Sequence, residues 1–285
     1  MSSSDTFQKF LLDDLNIRGE IVRLGNSFVD ATKATAYPAE VRNLLGQTIA
    51  ASLLLTGTLK FSGRLSIHAR GEGPLSLLMA EATDKRTFRG LANWSEIPEA
   101  QKNLAELLGN AQLAITIDPE KGSRYQGIVP LEKEDLSMCL VHYFELSEQL
   151  DTHMILGADE AGAYGFMLQK LPGNGDVEDE DGWGRVIQLA KTLTLDELSV
   201  IDNETVLFRL FHEEKLITYD AEPVKFECTC SRQRTLSSIE TFGSEEALEI
   251  LEQQSFIAVD CQFCGVQYQF DRTDINKLFD LGQGH

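Results

Sequence analysis

Apolar and polar side chains alternate over residues 64–70, with Leu65, Ile67 and Ala69 on one face of an extended chain. The turn Gly71-Glu-Gly-Pro74 closes that strand, and the same period of two returns over 112–117 through Leu113, Ile115 and Ile117. Upstream the period is helical. From Pro38, which suits a first helical turn, Val41, Leu44, Leu45, Ile49, Leu53 and Leu54 recur along one long helix. A second helix is predicted over 136–150, and strands over 152–156 and 164–171. Helices and strands mixed in this way predict an α+β domain with a large sheet over residues 1–175.

Turn chemistry at Leu171-Pro-Gly-Asn-Gly175 ends this domain. Asp176, Glu178, Asp179, Glu180 and Asp181 follow, and a run of carboxylates like this reads as a solvated linker. Residues 176–221 are predicted as that linker plus short amphipathic helices. Thr194 and Glu197 fit a capping box, and Asn203 is placed as the cap of a helix to Phe211 with Val206, Leu207, Leu210 and Phe211 as its apolar face. Helices this short need something to pack on. Residues 222–285 are predicted as a small C-terminal domain. In it a helix starts at Ser244, a strand over 256–260 leads into Cys261, Gly265 takes positive φ, and a strand returns through Tyr268 and Phe270. About 60 residues make a small core that a metal would strengthen considerably.

Composition narrows the function. The net charge of −20 repels phosphate backbones, so nucleic-acid binding is not expected. The start of the chain, Met1-Ser-Ser-Ser-Asp5, has no basic segment followed by an apolar one, and no apolar stretch reaches the roughly 18 residues of a membrane span. These features predict a cytoplasmic protein without membrane contact. In that compartment thiols stay reduced, and clustered cysteines read as metal-binding or redox-active.

Four of the five cysteines stand as Cys228-Thr-Cys230 and Cys261-Gln-Phe-Cys264. Two thiolate pairs on separate turns are what a tetrahedral zinc site needs, and the same sulfurs could instead form disulfides. An iron–sulfur centre is less well served, since there is no third pair or ferredoxin-like run. In an extended segment the side chains of Cys228 and Cys230 point to the same side, so they can share a metal or reach each other. Arg232, Arg234 and Arg272 are expected to offset the thiolate charge. Cys139 reads as a buried apolar residue beside Leu136, Leu140 and Tyr143. His68, His142, His153 and His212 lie far from the pairs, Gly71-Glu-Gly73 is not a phosphate loop, and Ser147 lacks a nucleophile elbow. No catalytic constellation is present, so an enzyme is not expected.

The chain resembles the redox-regulated 33-kDa heat-shock chaperonin family over nearly its whole length. The resemblance rests on Cys228-Thr-Cys-Ser-Arg-Gln-Arg234 and Cys261-Gln-Phe-Cys264, with Tyr268 and Phe270 beyond. Arg18-Gly-Glu20, Tyr37-Pro38, Leu59-Lys60, Tyr125-Gln-Gly127, Tyr143-Phe-Glu-Leu-Ser-Glu-Gln149 and Phe211-His-Glu-Glu214 support it. Asp151 and Ala36 depart from the family's usual pattern, far from the cysteines in sequence.

The resemblance implies an ATP-independent holdase chaperone. Reduced, it would hold one zinc per chain through Cys228, Cys230, Cys261 and Cys264 and be inactive. Oxidants would convert the cysteines to the disulfides Cys228–Cys230 and Cys261–Cys264 with loss of zinc. Structural zinc contributes on the order of 10–16 kcal/mol, against roughly 5–15 kcal/mol for a whole domain, so its loss should unfold the third region. The neighbouring short helices would then lose a packing partner and offer apolar surface to unfolded client proteins, with a homodimer as the active form. A thiol-disulfide oxidoreductase and a zinc-ribbon nucleic-acid-binding module are the alternatives. The first would want its Cys-x-x-Cys at a helix start, and the second has only Arg232, Arg234, Arg272 and Lys277 in its favour.

Overall fold

The structure, a computed structural model, describes residues 5–97, 103–172 and 181–280. Strands β1 (Thr6–Leu12) and β2 (Ile17–Leu24) open the chain, followed by helices α1 (Asn26–Thr32) and α2 (Ala39–Thr58). Strands β3 (Gly63–Arg70), β4 (Leu75–Thr83) and β5 (Thr87–Trp94) come next, then α3 (Leu104–Leu108), β6 (Gln112–Pro119) and β7 (Tyr125–Val129). Helix α4 (Leu136–Tyr143) runs into a π-helical turn, Phe144–Glu148, before β8 (Thr152–Ala158) and β9 (Ala163–Lys170). The helix predicted over 136–150 therefore changes character halfway. Gln149 ends it at φ 55°, a left-handed residue that stops propagation.

Two sheets form, where the strand pattern predicts one. The first runs β1-β2-β9-β8, and the second runs β5-β4-β3-β6-β7, both antiparallel. Helix α2 packs against strands of both. That position explains its sequence. Beyond the predicted stripe, Gly46, Thr48, Ala50, Ala51, Ser52, Thr56 and Gly57 are buried too, because a helix with a sheet on either side has no solvent face. Small residues let the sheets approach: a Cβ on Gly57 would stand 2.3 Å from the Phe7 ring.

Helices α5 (Gly182–Ala190), α6 (Leu195–Val200) and α7 (Asn203–Phe211) cover the other face of the first sheet. Val186, Ala190, Leu198, Val206, Leu207 and Phe211 pack there on Phe10, Leu12, Ile17, Ile21 and Phe166. Phe10 stacks on Phe166 and Phe211 at centroid distances of 5.8 and 5.9 Å. The capping box at Thr194 and Glu197 forms as predicted. The cap of α7 is Asp202, whose carboxylate accepts from the Thr205 amide, and Asn203 is the first helical residue. Four of the five acidic linker residues, Asp176, Glu178, Asp179 and Glu180, lie outside the described residues, and Asp181 directly precedes α5.

A strap of short strands follows, its first strand falling where the sequence predicts linker and short helices over 176–221. β10 (Leu216–Thr218) and β11 (Glu222–Pro223) pair with β1, and β12 (Lys225–Phe226) pairs parallel with β5. The strap thus crosses from one sheet to the other. Arg86 holds it by a two-toothed ion pair to Glu222, at 3.0 and 3.2 Å, while its guanidinium lies 3.9 Å from the Phe7 ring centroid. The last contact is the Glu227 amide donating to the Phe88 carbonyl.

The chain divides into two compact units between Glu227 and Cys228. The sequence places the start of the small domain at 222, whereas 222–227 belong to the sheets of the first unit. Residues 181–221 also belong to the first unit. The second unit contains α8 (Arg232–Ile239), α9 (Ser244–Gln253), the hairpin β13 (Ile257–Asp260) and β14 (Gln267–Phe270), and α10 (Arg272–Leu278). Among the described residues its core is small: Ile239, Ala247, Leu251, Ile257, Phe270 and Ile275. The fold is mixed α and β with a separate cysteine-bearing C-terminal unit.

Candidate metal centre

Two short pieces of chain build the site. Cys228 and Cys230 lie on the irregular segment between β12 and α8. Ser231 ends that segment as the cap of α8, accepting from the Arg234 amide at 3.3 Å, and this fixes where the chain becomes helix. Cys261 and Cys264 occupy the turn between β13 and β14. There the Cys261 amide donates to the Val266 carbonyl at 2.9 Å, and the Gly265 amide donates to the Cys261 carbonyl at 2.8 Å. Gly265 has φ 71°, the left-handed conformation predicted for it.

The turn and the segment ahead of α8 bring the four Sγ atoms within 4.8 Å of one another. Cys228 Sγ is 3.6 Å from Cys261 Sγ, and Cys230 Sγ is 3.5 Å from Cys264 Sγ. A tetrahedron with metal–sulfur bonds near 2.3 Å sets sulfurs about 3.8 Å apart, so the four sulfurs fit that shell. All four cysteines are half-buried.

The electrostatics also call for a cation. Burial pushes the Cys228 thiol well up, and it pushes Cys264 up as well. Burial opposes ionisation of Cys230 too, but hydrogen bonds from Tyr268 and the neighbouring thiols overcome it and bring that group down to about 7. Four thiolates this close repel one another, and a bound divalent ion is the ordinary way to hold all four ionised. Among the described residues the second unit contributes no histidine to the cluster. His68, His142, His153 and His212 all lie in the first unit, and the cluster among the described residues consists of cysteines alone.

Of the three arginines expected to offset the thiolate charge, Arg232 is engaged elsewhere. Arg232 is turned to Asp274, with contacts of 3.1 and 2.7 Å, donates to the Gln269 carbonyl, and lies 4.7 Å from the Phe270 ring centroid. Arg234 donates to the Thr229 carbonyl at 2.7 Å. Both stiffen the frame around the sulfurs, and the charge of Arg232 is matched by a carboxylate. Local sequence could not show this, because Asp274 lies 42 positions from Arg232.

Tyr268 is the contact that sequence reading missed. Its hydroxyl lies 3.2 Å from Cys230 Sγ, and that hydrogen bond pushes the phenol up to about 12. Alternation along β14 puts Tyr268 on the same face as Phe270. The available signal was a polar-tipped aromatic at the strand end nearer the cysteines. Cys139 is fully buried in α4, in the first unit and outside the cluster, as its apolar neighbours predict.

Among the described residues no helix is long and apolar enough to cross a membrane. A family model described as Hsp33 protein matches residues 5–271, a span that includes all four clustered cysteines. The 33 kDa chaperonin of Hahella chejuensis is 47% identical over 97% of this chain and 98% of its own length. That of Ectopseudomonas mendocina is 46% identical over 97% and 95%. The crystal structure of the 33 kDa chaperonin from Thermotoga maritima shares the fold, with a TM-score of 0.82 at 22% identity over 97% of this chain and 98% of that one. The chain belongs to the Hsp33 family, and this membership supports a chaperone function.

Proposed function

We propose that the chain is a redox-regulated holdase, which binds unfolding proteins without ATP and is switched by its four clustered cysteines. The observation that carries the reading is the gathering of four sulfurs within 4.8 Å in a unit whose core, among the described residues, is six buried apolar side chains. In the reduced, inactive state Cys228, Cys230, Cys261 and Cys264 hold one zinc. The ion, when bound, offsets thiolate charge and ties the segment ahead of α8 to the β13–β14 turn.

On oxidation each pair, Cys228/Cys230 and Cys261/Cys264, gives two electrons to a two-electron oxidant of the peroxide or hypochlorous acid class and forms one S–S bond. The close contacts in the folded unit run between the pairs, so folded proximity alone does not select this pairing. The opened chain favours it. Closing a ring across one or two residues is easier than across thirty-odd by about 2 kcal/mol, part of which the strained Cys-x-Cys ring takes back. Disulfides remove the thiolates that hold the ion, and six buried side chains are too few to keep the unit folded.

The effect travels by chain continuity. Cys228 directly follows Glu227, the last residue of the strap, and the strap continues back through β12, β11 and β10 to α7. Loosening that strap frees α5–α7 from the first sheet and uncovers Phe10, Phe166, Leu12, Ile17 and Ile21. Clients bind there, and the net charge of −20 keeps the complexes soluble. Functionally, residues 1–175 act as the stable core, 176–221 as the releasable layer and 228–285 as the switch, with 222–227 as the strap that joins the last two. The active form is a homodimer, and the compartment is the cytoplasm, where thiols rest reduced.

The rival readings have less behind them. Cys261 and Cys264 sit in a turn between two strands, not at a helix start as an oxidoreductase would have them. Of the four basic residues that would favour a nucleic-acid module, Arg232 and Arg234 are engaged within the unit, and the net charge of −20 works against the exposed Arg272 and Lys277. The test is a client-aggregation assay without ATP, with thiols and zinc counted in parallel. Oxidised, zinc-free protein should suppress aggregation, and reduced zinc-loaded protein should not. Equal protection by both forms would refute the switch.

A further inference from the structure

We propose that Tyr268 restrains oxidation of Cys230 by hydrogen-bonding its sulfur, and so sets how much oxidant the four-cysteine centre withstands. This rests on the redox-switch reading above. The geometry is an O···S contact of 3.2 Å between the Tyr268 hydroxyl and Cys230 Sγ. A metal-bound or ionised Cys230 has no proton to give, so in that state the phenol is the donor and the bond is charge-assisted.

The position is fixed from both directions. The β13–β14 ladder pairs Tyr268 with Val259, and alternation places its ring on the same face as the fully buried Phe270. The sulfur lies on the segment that Ser231 ends as the cap of α8. The amides of Cys230 and Val266 serve Cys228 and Cys264, so those donors belong to the backbone of the turns. The donor to Cys230 from Tyr268 is a side chain, and changing that residue changes the bond while leaving the backbone alone.

A hydrogen bond to a thiolate draws density from the lone pair that attacks an oxidant. In the step concerned, the Cys230 sulfur attacks peroxide. An S–O bond forms as the O–O bond breaks, and the leaving hydroxide is protonated to water. A partner thiolate then displaces the second oxygen, also released as water, to complete one S–S bond. Both electrons come from the two sulfurs and go to one peroxide. Withdrawing the phenol hydroxyl makes the first of these attacks faster.

The test uses the full zinc-loaded chain at one pH, comparing the parent with Tyr268→Phe, which keeps the ring and its packing. Remaining thiols are counted by alkylation and mass after a peroxide series. The cobalt-substituted proteins supply the thiolate-to-metal charge-transfer band, which a merely structural role for Tyr268 would not shift. Tyr268→Phe should oxidise about 3- to 10-fold faster, the scale of one ordinary net hydrogen bond, because only part of the bond's effect is felt in the attack, with its band at lower energy. A chain carrying 3-fluorotyrosine at 268, a stronger donor, should oxidise more slowly, and it keeps the test decisive if Tyr268→Phe folds poorly. Unchanged rates and bands in the variants, with the parent still switching, overturn the role of Tyr268 alone. A parent that binds no metal or forms no disulfides overturns the switch reading and this inference together.

Discussion

The two units of the chain solve the problem of stability in opposite ways. The first buries apolar side chains on both faces of one sheet and around a helix set between two sheets. The second has six buried apolar residues among those described and puts its four cysteines where a small domain would otherwise need more core. A core of that kind does not depend on redox state, whereas a thiolate site does. The division falls between Glu227 and Cys228, immediately before the first cysteine of the cluster, so the four-cysteine unit is attached directly to the strap that crosses both sheets.

Replacing Cys228, Cys230, Cys261 and Cys264 together with serine gives the largest expected effect. The second unit should unfold completely, visible as collapsed amide dispersion for 228–280, while the sheets of the first unit keep their spectrum. Persistence of a folded second unit would remove the contrast between the units. Next is Phe211→Ala. Phe211 is fully buried and stacks on Phe10, so its loss should cost about 3–5 kcal/mol, felt mainly by the α5–α7 layer. In the reduced state this variant should already bind an apolar dye and give partial client protection. If it binds no more dye than the parent, that layer is not the releasable one.

A smaller effect sharpens the picture of the first unit. Glu20 is buried, one of its carboxylate oxygens has no hydrogen-bond partner, and burial raises its pKa from the usual 4.5 to about 7 despite Arg18, Lys9 and Arg86. The folded chain therefore holds this proton more tightly than the unfolded chain. Its contribution to stability falls as pH rises from about 4.5 to about 7 and levels off above. Glu20→Gln should remove that slope, leaving the variant about 1–3 kcal/mol more stable than the parent near pH 8 and equal to it in acid. Denaturant midpoints across that range provide the check, and parallel curves would count against the assignment. Smallest of all is Cys139→Ala, expected to cost about 1 kcal/mol in melting experiments and to leave zinc content unchanged.

What could be read beforehand follows from the same physics. The four sulfurs were legible because a metal shell demands thiolates at fixed spacings, and Gly265 because a tight turn demands positive φ. Strands β3 and β6 were legible because each alternates cleanly. Strands β1 and β2 were not, since Phe7 and Val22 pack on one face of their sheet while Phe10 and Ile21 pack on the other, which erases the period of two. The strap was illegible for a different reason. Strands of two or three residues carry no period at all, and their places are set by distant partners such as Arg86. The packing partner of α5–α7 in the first unit, the Phe10–Phe166 face, could not be named without knowing that β1 and β9 share a sheet with β2 between them.

Hydrogen exchange on reduced zinc-loaded and oxidised zinc-free protein, resolved by residue, tests the central claim most directly. The account predicts that oxidation strips protection from 228–280 and from α5–α7, while β2–β6, β8, β9 and α2 stay protected. Protection lost evenly along the chain, or kept throughout α5–α7, would contradict it.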